Sequence, residues 1–143
     1  MRISFPAIIK KEREENEDIF MVEFPDLPGC QTYGSTESEA LRNAQEALTG
    51  YLESIDSRKI NIPEPSRLKG KNIHYVYPEK KVSFAIWLKK NRERAGLSQQ
   101  DIAKKLNITY QTYQRFEDPE KSNPTLKTII RLEEVFKEEL IQI

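Results

Sequence analysis

Tyr110, Gln111, Gln114 and Arg115 bring donors, acceptors and planar groups onto one polar side of a short segment. A guanidinium can grip a guanine edge or a phosphate, and a carboxamide can pair with adenine, so this set suits the major groove of DNA. Thr109 and Thr112 open the same segment, and Gln99 stands at the start of the one before it. Lys121, Ser122 and Asn123 follow in a loop; with Gln99 they suit the phosphate backbone and would fix a docking angle. These ten residues form the candidate DNA-binding set.

The combinations that would do covalent or metal chemistry are weaker. Cys30 with Asp26 and His74 is the one conceivable thiol site, yet a lone cysteine beside a strand reads as a small hydrophobe. With 1 Cys and 1 His in the chain, no disulfide framework or Cys-rich zinc site can be assembled. The acids Glu12, Glu14, Glu15, Glu17 and Asp18 lack the Asp/Asn-Gly spacing of a calcium loop and read as a solvated tip. Two-metal chemistry needs carboxylates from several elements, but Ile3–Ile9 and Ile73–Tyr77 contain none and Glu46 has no evident partner. No catalytic residue, metal or cofactor is therefore expected.

The elements that must position the polar set are legible in the second half. Phe84 to Ala95 forms an amphipathic helix with Phe84, Trp87 and Leu88 on one side, and Gly96 can end it in a left-handed conformation. Ser98 with Asp101 makes a capping box, and Ile102, Ala103 and Leu106 give the inward stripe of a helix about two turns long. Asn107 tolerates the left-handed turn, Ile108 fills the corner, and Thr109 caps a helix over residues 110–117 anchored by Tyr113 and Phe116. Asn123 before Pro124 caps another helix, whose Leu126, Ile129, Ile130 and Leu132 close the core. Two short capped helices around a tight turn are helix-turn-helix grammar.

The first half has a different period. Ile3 to Ile9 and Ile19 to Phe24 read as strands of a hairpin with a long polar tip over Lys10 to Asp18. Pro25-Asp26-Leu27-Pro28-Gly29 breaks the chain, and Cys30 to Gly34 resumes as a third strand. Thr36 and Glu39 cap a long helix with the stripe Leu41, Ala44, Leu48, Tyr51, Leu52 and Ile55. After a proline-bearing loop from Ile60 to Leu68, Ile73 to Tyr77 returns to strand character, completing a β-β-β-α-β order. One helix covers only one face of such a sheet, so the other face or an exposed strand edge is where a second protein would dock.

At 143 residues the chain fits one medium domain or two small ones, and with 37% hydrophobic residues it can fold. Its net charge of zero hides an asymmetry: residues 1–78 carry 10 Lys and Arg against 13 Asp and Glu, whereas residues 79–143 carry 13 against 10. A positive second half is compatible with a polyanionic partner. No signal sequence opens the chain and no stretch reaches the roughly 18 apolar residues of a membrane span, so a cytoplasmic address without membrane contact is expected. The expected organisation is α+β, with a domain over 1–78, a linker over 79–81, and an all-α domain over 82–143 ending in a short strand.

From Leu88 to about Phe136 the sequence resembles Xre/Cro-like helix-turn-helix repressors, through Gly96-Leu97-Ser98-Gln99-Gln100-Asp101-Ile102-Ala103 and Asn123-Pro124-Thr125-Leu126. Asn107 stands where that family often has glycine. The first half resembles HicB antitoxins through Phe24-Pro25-Asp26-Leu27-Pro28-Gly29-Cys30, Gly34-Ser35-Thr36, Glu39-Ala40 and the path to Ile62-Pro63-Glu64-Pro65-Ser66. The combined resemblance implies a degenerate ribonuclease-H-like domain that binds and masks a small HicA ribonuclease toxin. It also implies a second domain that binds double-stranded operator DNA and represses the shared operon. Phe24, Asp26, Leu27, Pro28, Gly29 and Tyr33 are the candidate toxin contacts. Leu140, Ile141, Gln142 and Ile143 form an apolar terminal strand that could pair with its symmetry mate, giving a homodimer or higher oligomer. A different class of function is a stand-alone helix-turn-helix repressor whose first domain senses a small ligand.

Overall fold

The structure, a computed structural model, describes residues 3–139 and divides into two compact units that meet in sequence between Glu79 and Lys80. In the first unit, strands β1 (Phe5–Glu14), β2 (Glu17–Glu23), β3 (Gln31–Gly34) and β4 (Ile73–Val76) form one sheet in the order β3-β2-β1-β4. Every neighbouring pair is antiparallel. Helix α1 (Glu37–Ser57) separates β3 from β4 in the chain.

Alternation along the strands sorts the side chains. Phe5, Ala7 and Ile9 of β1 are buried on one face, with Val22 opposite Ile9 and Val76 opposite Phe5. Helix α1 supplies Ala40, Ala44, Leu48, Leu52 and Ile55, a stripe at three- and four-residue steps. The Thr36 hydroxyl accepts from the Glu39 amide at 3.0 Å, while the Glu39 carboxylate reaches back to the Ser35 amide at 3.4 Å, one residue short of a full capping box. Leu41 and Tyr51, expected in the stripe, are half-buried at its margins.

The hairpin tip differs from the long polar loop expected over Lys10 to Asp18. Both strands run on through these residues, and the turn consists of Glu15 and Asn16 alone, at φ 47° and 67°. Two left-handed residues form the type I′ turn that matches the right-handed twist of a hairpin. The polar run misleads because a backbone ladder needs no apolar side chains once register is set; Lys11 and Arg13 lie 3.6 and 3.8 Å from the Asp18 carboxylate across it.

In the second unit, α2 (Lys80–Arg94), α3 (Gln99–Leu106), α4 (Tyr110–Phe116) and α5 (Leu126–Glu139) enclose Phe84, Trp87, Leu88, Ile102, Ala103, Leu106, Tyr113, Leu132 and Phe136. Trp87 meets Phe136 edge-on at a centroid distance of 5.6 Å. Helix α2 begins at Lys80, so most of the expected linker over 79–81 is its first turn, and every residue from Val82 to Leu88 is buried. Helix α5 is capped by Thr125, whose hydroxyl accepts from the Thr128 amide at 3.2 Å, and not by Asn123. Its buried stripe is Leu132 and Phe136, flanked by Ile129 and Val135. Ile130 lies about 200° around the helix from Leu132, and Leu126 about 120°. Both are accordingly exposed, at 47% and 72%, and not in the core as expected. The terminal strand expected at Leu140 to Ile143 lies outside the described residues.

Gly34, at the end of β3, is where strand and helix backbones come closest. A Cβ there would stand 2.4 Å from the Ala40 backbone nitrogen. Gly34→Ala should therefore destabilise the first unit by about 2–3 kcal/mol, read as a lower urea midpoint at unchanged slope.

Candidate nucleic-acid interface

Local chemistry sets the two central helices. Around α3, the Ser98 hydroxyl accepts from the Asp101 amide at 3.0 Å and the Asp101 carboxylate accepts from the Ser98 amide at 2.8 Å. Hydrogen bonding of the carboxylate to the Ser98 backbone amide, then to the Ser98 side chain, with Lys104 and Lys105 nearby, holds the Asp101 carboxyl below its ordinary range. Asn107 ends α3 at φ 55°, and the amide of Ile108 returns to the Ala103 carbonyl at 3.0 Å. The Thr109 hydroxyl then accepts from the Thr112 amide at 3.1 Å and starts α4.

A single carboxylate ties this turn to its neighbours. Arg92 of α2 grips Glu117 in a bidentate pair, Nε to Oε2 at 2.7 Å and Nη2 to Oε1 at 3.1 Å, while its Nη1 donates to the Leu97 carbonyl at 3.0 Å. Gln99 Nε2 donates to Glu117 Oε1 at 3.0 Å, and the Tyr113 hydroxyl donates to Oε2. Glu117 is buried. Burial works against the Arg92 charge, but the hydrogen bonds and charge of Glu117 outweigh it and raise the guanidinium pKa further. Burial, then the Glu117 charge and hydrogen bond, push the Tyr113 phenol up, so it stays a neutral donor. The network extends to the surface: the Tyr110 hydroxyl donates to Gln99 Oε1 at 3.3 Å.

With Tyr113 buried and Phe116 half-buried, α4 turns Tyr110, Gln111, Thr112, Gln114 and Arg115 to solvent. Lys121 and Asn123 are also exposed in the following loop. Thr109 is occupied by its cap, and Ser122 is buried, its amide donating to the Asp118 carbonyl at 2.8 Å. The structure thus brings Gln99 and Tyr110 together, leaves the α4 face open, and turns Ser122 inward. Arg92 and Glu117 were missed by sequence reasoning. Their signal was spacing: Arg92 follows buried Leu88 by four residues and Glu117 follows buried Tyr113 by four, which places opposite charges on core-facing stripes.

The candidate toxin contacts of the first unit divide in the same way. Phe24 and Leu27 are core residues, at 2% and 1% exposure. Asp26 accepts from the Ser66 amide at 2.8 Å and from the Ser66 hydroxyl at 2.5 Å, pinning the long α1–β4 connection. Gly29 takes φ +85° in the turn that returns the Cys30 amide to the Leu27 carbonyl, a conformation that disfavours a side chain. Pro28 is exposed, and its carbonyl accepts from the Tyr51 hydroxyl at 2.9 Å. Tyr33 alone of the set presents a large exposed side chain, at 60%. Cys30 is buried, which pushes its thiol up to about 11. Among the described residues there is no cluster of three or more His, Cys, Asp or Glu that could hold a metal ion, and no helix long and apolar enough to cross a membrane.

A four-stranded sheet covered by one helix, followed by a tight two-helix turn with a polar exposed second helix, defines a small α+β unit joined to a helix-turn-helix module. Residues 5–115 match the family described as HicB-like antitoxin of bacterial toxin-antitoxin systems, and residues 88–143 match the helix-turn-helix family. The chain belongs to the HicB-like antitoxin family. It is 38% identical to a UPF0150 protein of Thermoplasma acidophilum over 61 residues, which cover 43% of this chain and 84% of that protein. A UPF0150 protein of Thermotoga maritima is 39% identical over 64 residues, 45% of this chain and 81% of its own length. A 14.9 kDa protein from the rep-hol intergenic region of Haemophilus phage HP1 is 34% identical over 56 residues, 39% of this chain and 42% of that protein.

Removing one partner of a buried ion pair strands the other. Arg92→Met should lower the stability of the second unit by about 3–5 kcal/mol, and Arg92→Met/Glu117→Met should recover much of that loss, as measured by denaturant titration. Acid should act separately at Asp101. Its depressed pKa contributes stability that is fully present above about pH 4 and is lost as pH falls through the folded value. The melting-temperature gap between the natural chain and Asp101→Asn should therefore narrow as pH is lowered from 7 to 2.

Proposed function

We propose that this protein is an antitoxin that binds and neutralises a HicA-like mRNA-cleaving ribonuclease by occlusion and represses its own operon by binding operator DNA. The observation that carries this reading is the exposed polar face of α4 in a chain of the HicB-like antitoxin family. Binding alone suffices for both tasks, so no reaction is assigned to the protein, and both partners are met in the cytoplasm. Arg115, Gln111, Gln114 and Tyr110 read base edges; Gln99, Thr112, Lys121 and Asn123 meet the phosphate backbone, and Thr109 holds the start of α4 as its cap. Ser122 supports that loop from inside. A homodimer sets two recognition helices about 34 Å or a multiple apart, which calls for an inverted-repeat operator.

Two variants separate base reading from backbone docking in promoter-binding titrations. Arg115→Ala should weaken operator binding by about 1–3 kcal/mol and relax discrimination at one base pair. Lys121→Ala should weaken all sequences alike and lower the salt slope by about one. Unchanged affinity and specificity in Arg115→Ala would remove α4 as the recognition helix. For the antitoxin arm, expressing the protein should relieve growth arrest caused by the product of the adjacent reading frame, and Arg115→Ala should relieve it equally well.

A further inference from the structure

The register of the first sheet sorts a charge run that looks uniform in sequence. On the face toward α1, the hairpin carries Lys11 and Arg13, both paired with Asp18. On the helix-free face it carries Glu12, Glu14, Glu17 and Glu23, with Lys10 as the one base among these strand residues. Glu14 stands directly opposite Glu17, an unfavourable like-charge pair for the sheet by itself. The same face holds Pro6, which is buried, Ile8, Ile19 and Met21, which are half-buried, and Tyr33, which stands opposite Met21 and is 60% exposed. The neighbouring β3 edge is less available, because Asn43 Nδ2 already donates to the Tyr33 carbonyl at 2.8 Å. At the far side, Tyr75 is fastened by its hydroxyl to the Leu68 amide at 2.7 Å and the Ser66 carbonyl at 3.0 Å.

We propose that the helix-free face of the sheet, centred on Met21 and Tyr33 and rimmed by Glu12, Glu14, Glu17 and Glu23, docks the basic RNA-gripping surface of the partner ribonuclease. This rests on the antitoxin reading and deepens it by assigning the face and the chemistry of the contact. A surface that grips RNA is basic because its ligand is a polyanion. Glu12 and Glu14, about 7 Å apart along β1, with Glu17 directly across from Glu14, offer such a surface a substitute for phosphates. Basic groups from the partner relieve the repulsion between Glu14 and Glu17. The tyrosine and the aliphatic side chains supply the apolar centre that charge alone does not give, with Tyr33 as the anchor. Occlusion is then competitive with RNA: the antitoxin occupies the place of the substrate's backbone.

The test titrates the purified product of the adjacent reading frame into the full-length chain by calorimetry at low and high salt. Glu12→Lys/Glu17→Lys should bind at least tenfold more weakly at low salt, with the difference shrinking as salt rises. Tyr33→Ser should bind at least tenfold more weakly at both salts. A charge-matched control on α1, at the opposite face of the same unit, Glu37→Lys/Glu46→Lys, should bind like the natural chain. All of these positions are exposed, and unchanged melting curves would establish that the variants fold. If the natural chain binds and the helix-free-face variants bind equally well, the docking face is wrong while the antitoxin reading stands. If Tyr33→Ser lowers the mass of the free chain in sedimentation without weakening partner binding, the face belongs to a second copy and the proposal is overturned. If the natural chain does not bind the neighbour's product, the antitoxin reading falls and this inference falls with it.

Discussion

The carboxylate of Glu117 holds the DNA-binding unit together. Four donors converge on it, two from Arg92 and one each from Gln99 and Tyr113, so α2, the start of α3, and the middle and C-terminal cap of α4 share one buried charge. A buried ion pair of this kind contributes little net stability against an apolar substitute, and its value lies in geometry. A core of Leu88, Ile102, Leu106 and Leu132 tolerates small rotations of one helix on another. A bidentate guanidinium–carboxylate pair does not. Under the proposed function, the angle between α3 and α4 decides whether Gln111 and Arg115 can reach base edges while Gln99 remains near the backbone. The hydrogen bond from Tyr110 to Gln99 carries that constraint to the surface.

The first unit solves a different problem with the same economy. The Pro-Asp-Leu-Pro-Gly segment, which looks like a contact motif, is mostly scaffold: Leu27 is core, Asp26 anchors Ser66, and Gly29 makes the turn. These fastenings hold the long α1–β4 connection and leave the helix-free face of the hairpin in place. The proposed docking face is then a matter of register, because alternation alone decides which charges of the Lys10 to Asp18 run share a face. A one-residue slip between β1 and β2 would exchange the acidic and basic faces.

Much of this was legible in the sequence, and the misses have physical causes. Ser98, Asp101, Asn107 and Thr109 specify caps and a turn through their own side chains, so local chemistry reports local structure. The β-β-β-α-β order followed from apolar period and proline placement. The hairpin tip was overestimated because polar strands that extend past a core have no apolar period to detect. The α5 cap was placed two residues early because Asn123-Pro124 and Thr125 are both plausible starts, and that shift misassigned Leu126 and Ile130 to the core. Arg92 and Glu117 are 25 residues apart, and composition treats such charges as solvated unless their helical phase is read against the buried positions.

The proposed function joins a toxin-docking sheet to a DNA-reading helix pair in one chain, a repressor whose second partner is the product of the operon it controls. The most direct measurement is the native mass of the full-length chain after co-expression with the product of the adjacent reading frame. A stoichiometric complex of the two proteins, stable through purification, is the expected result. The chain recovered only as itself, with the neighbour's product soluble and folded but at its own separate mass, would contradict it.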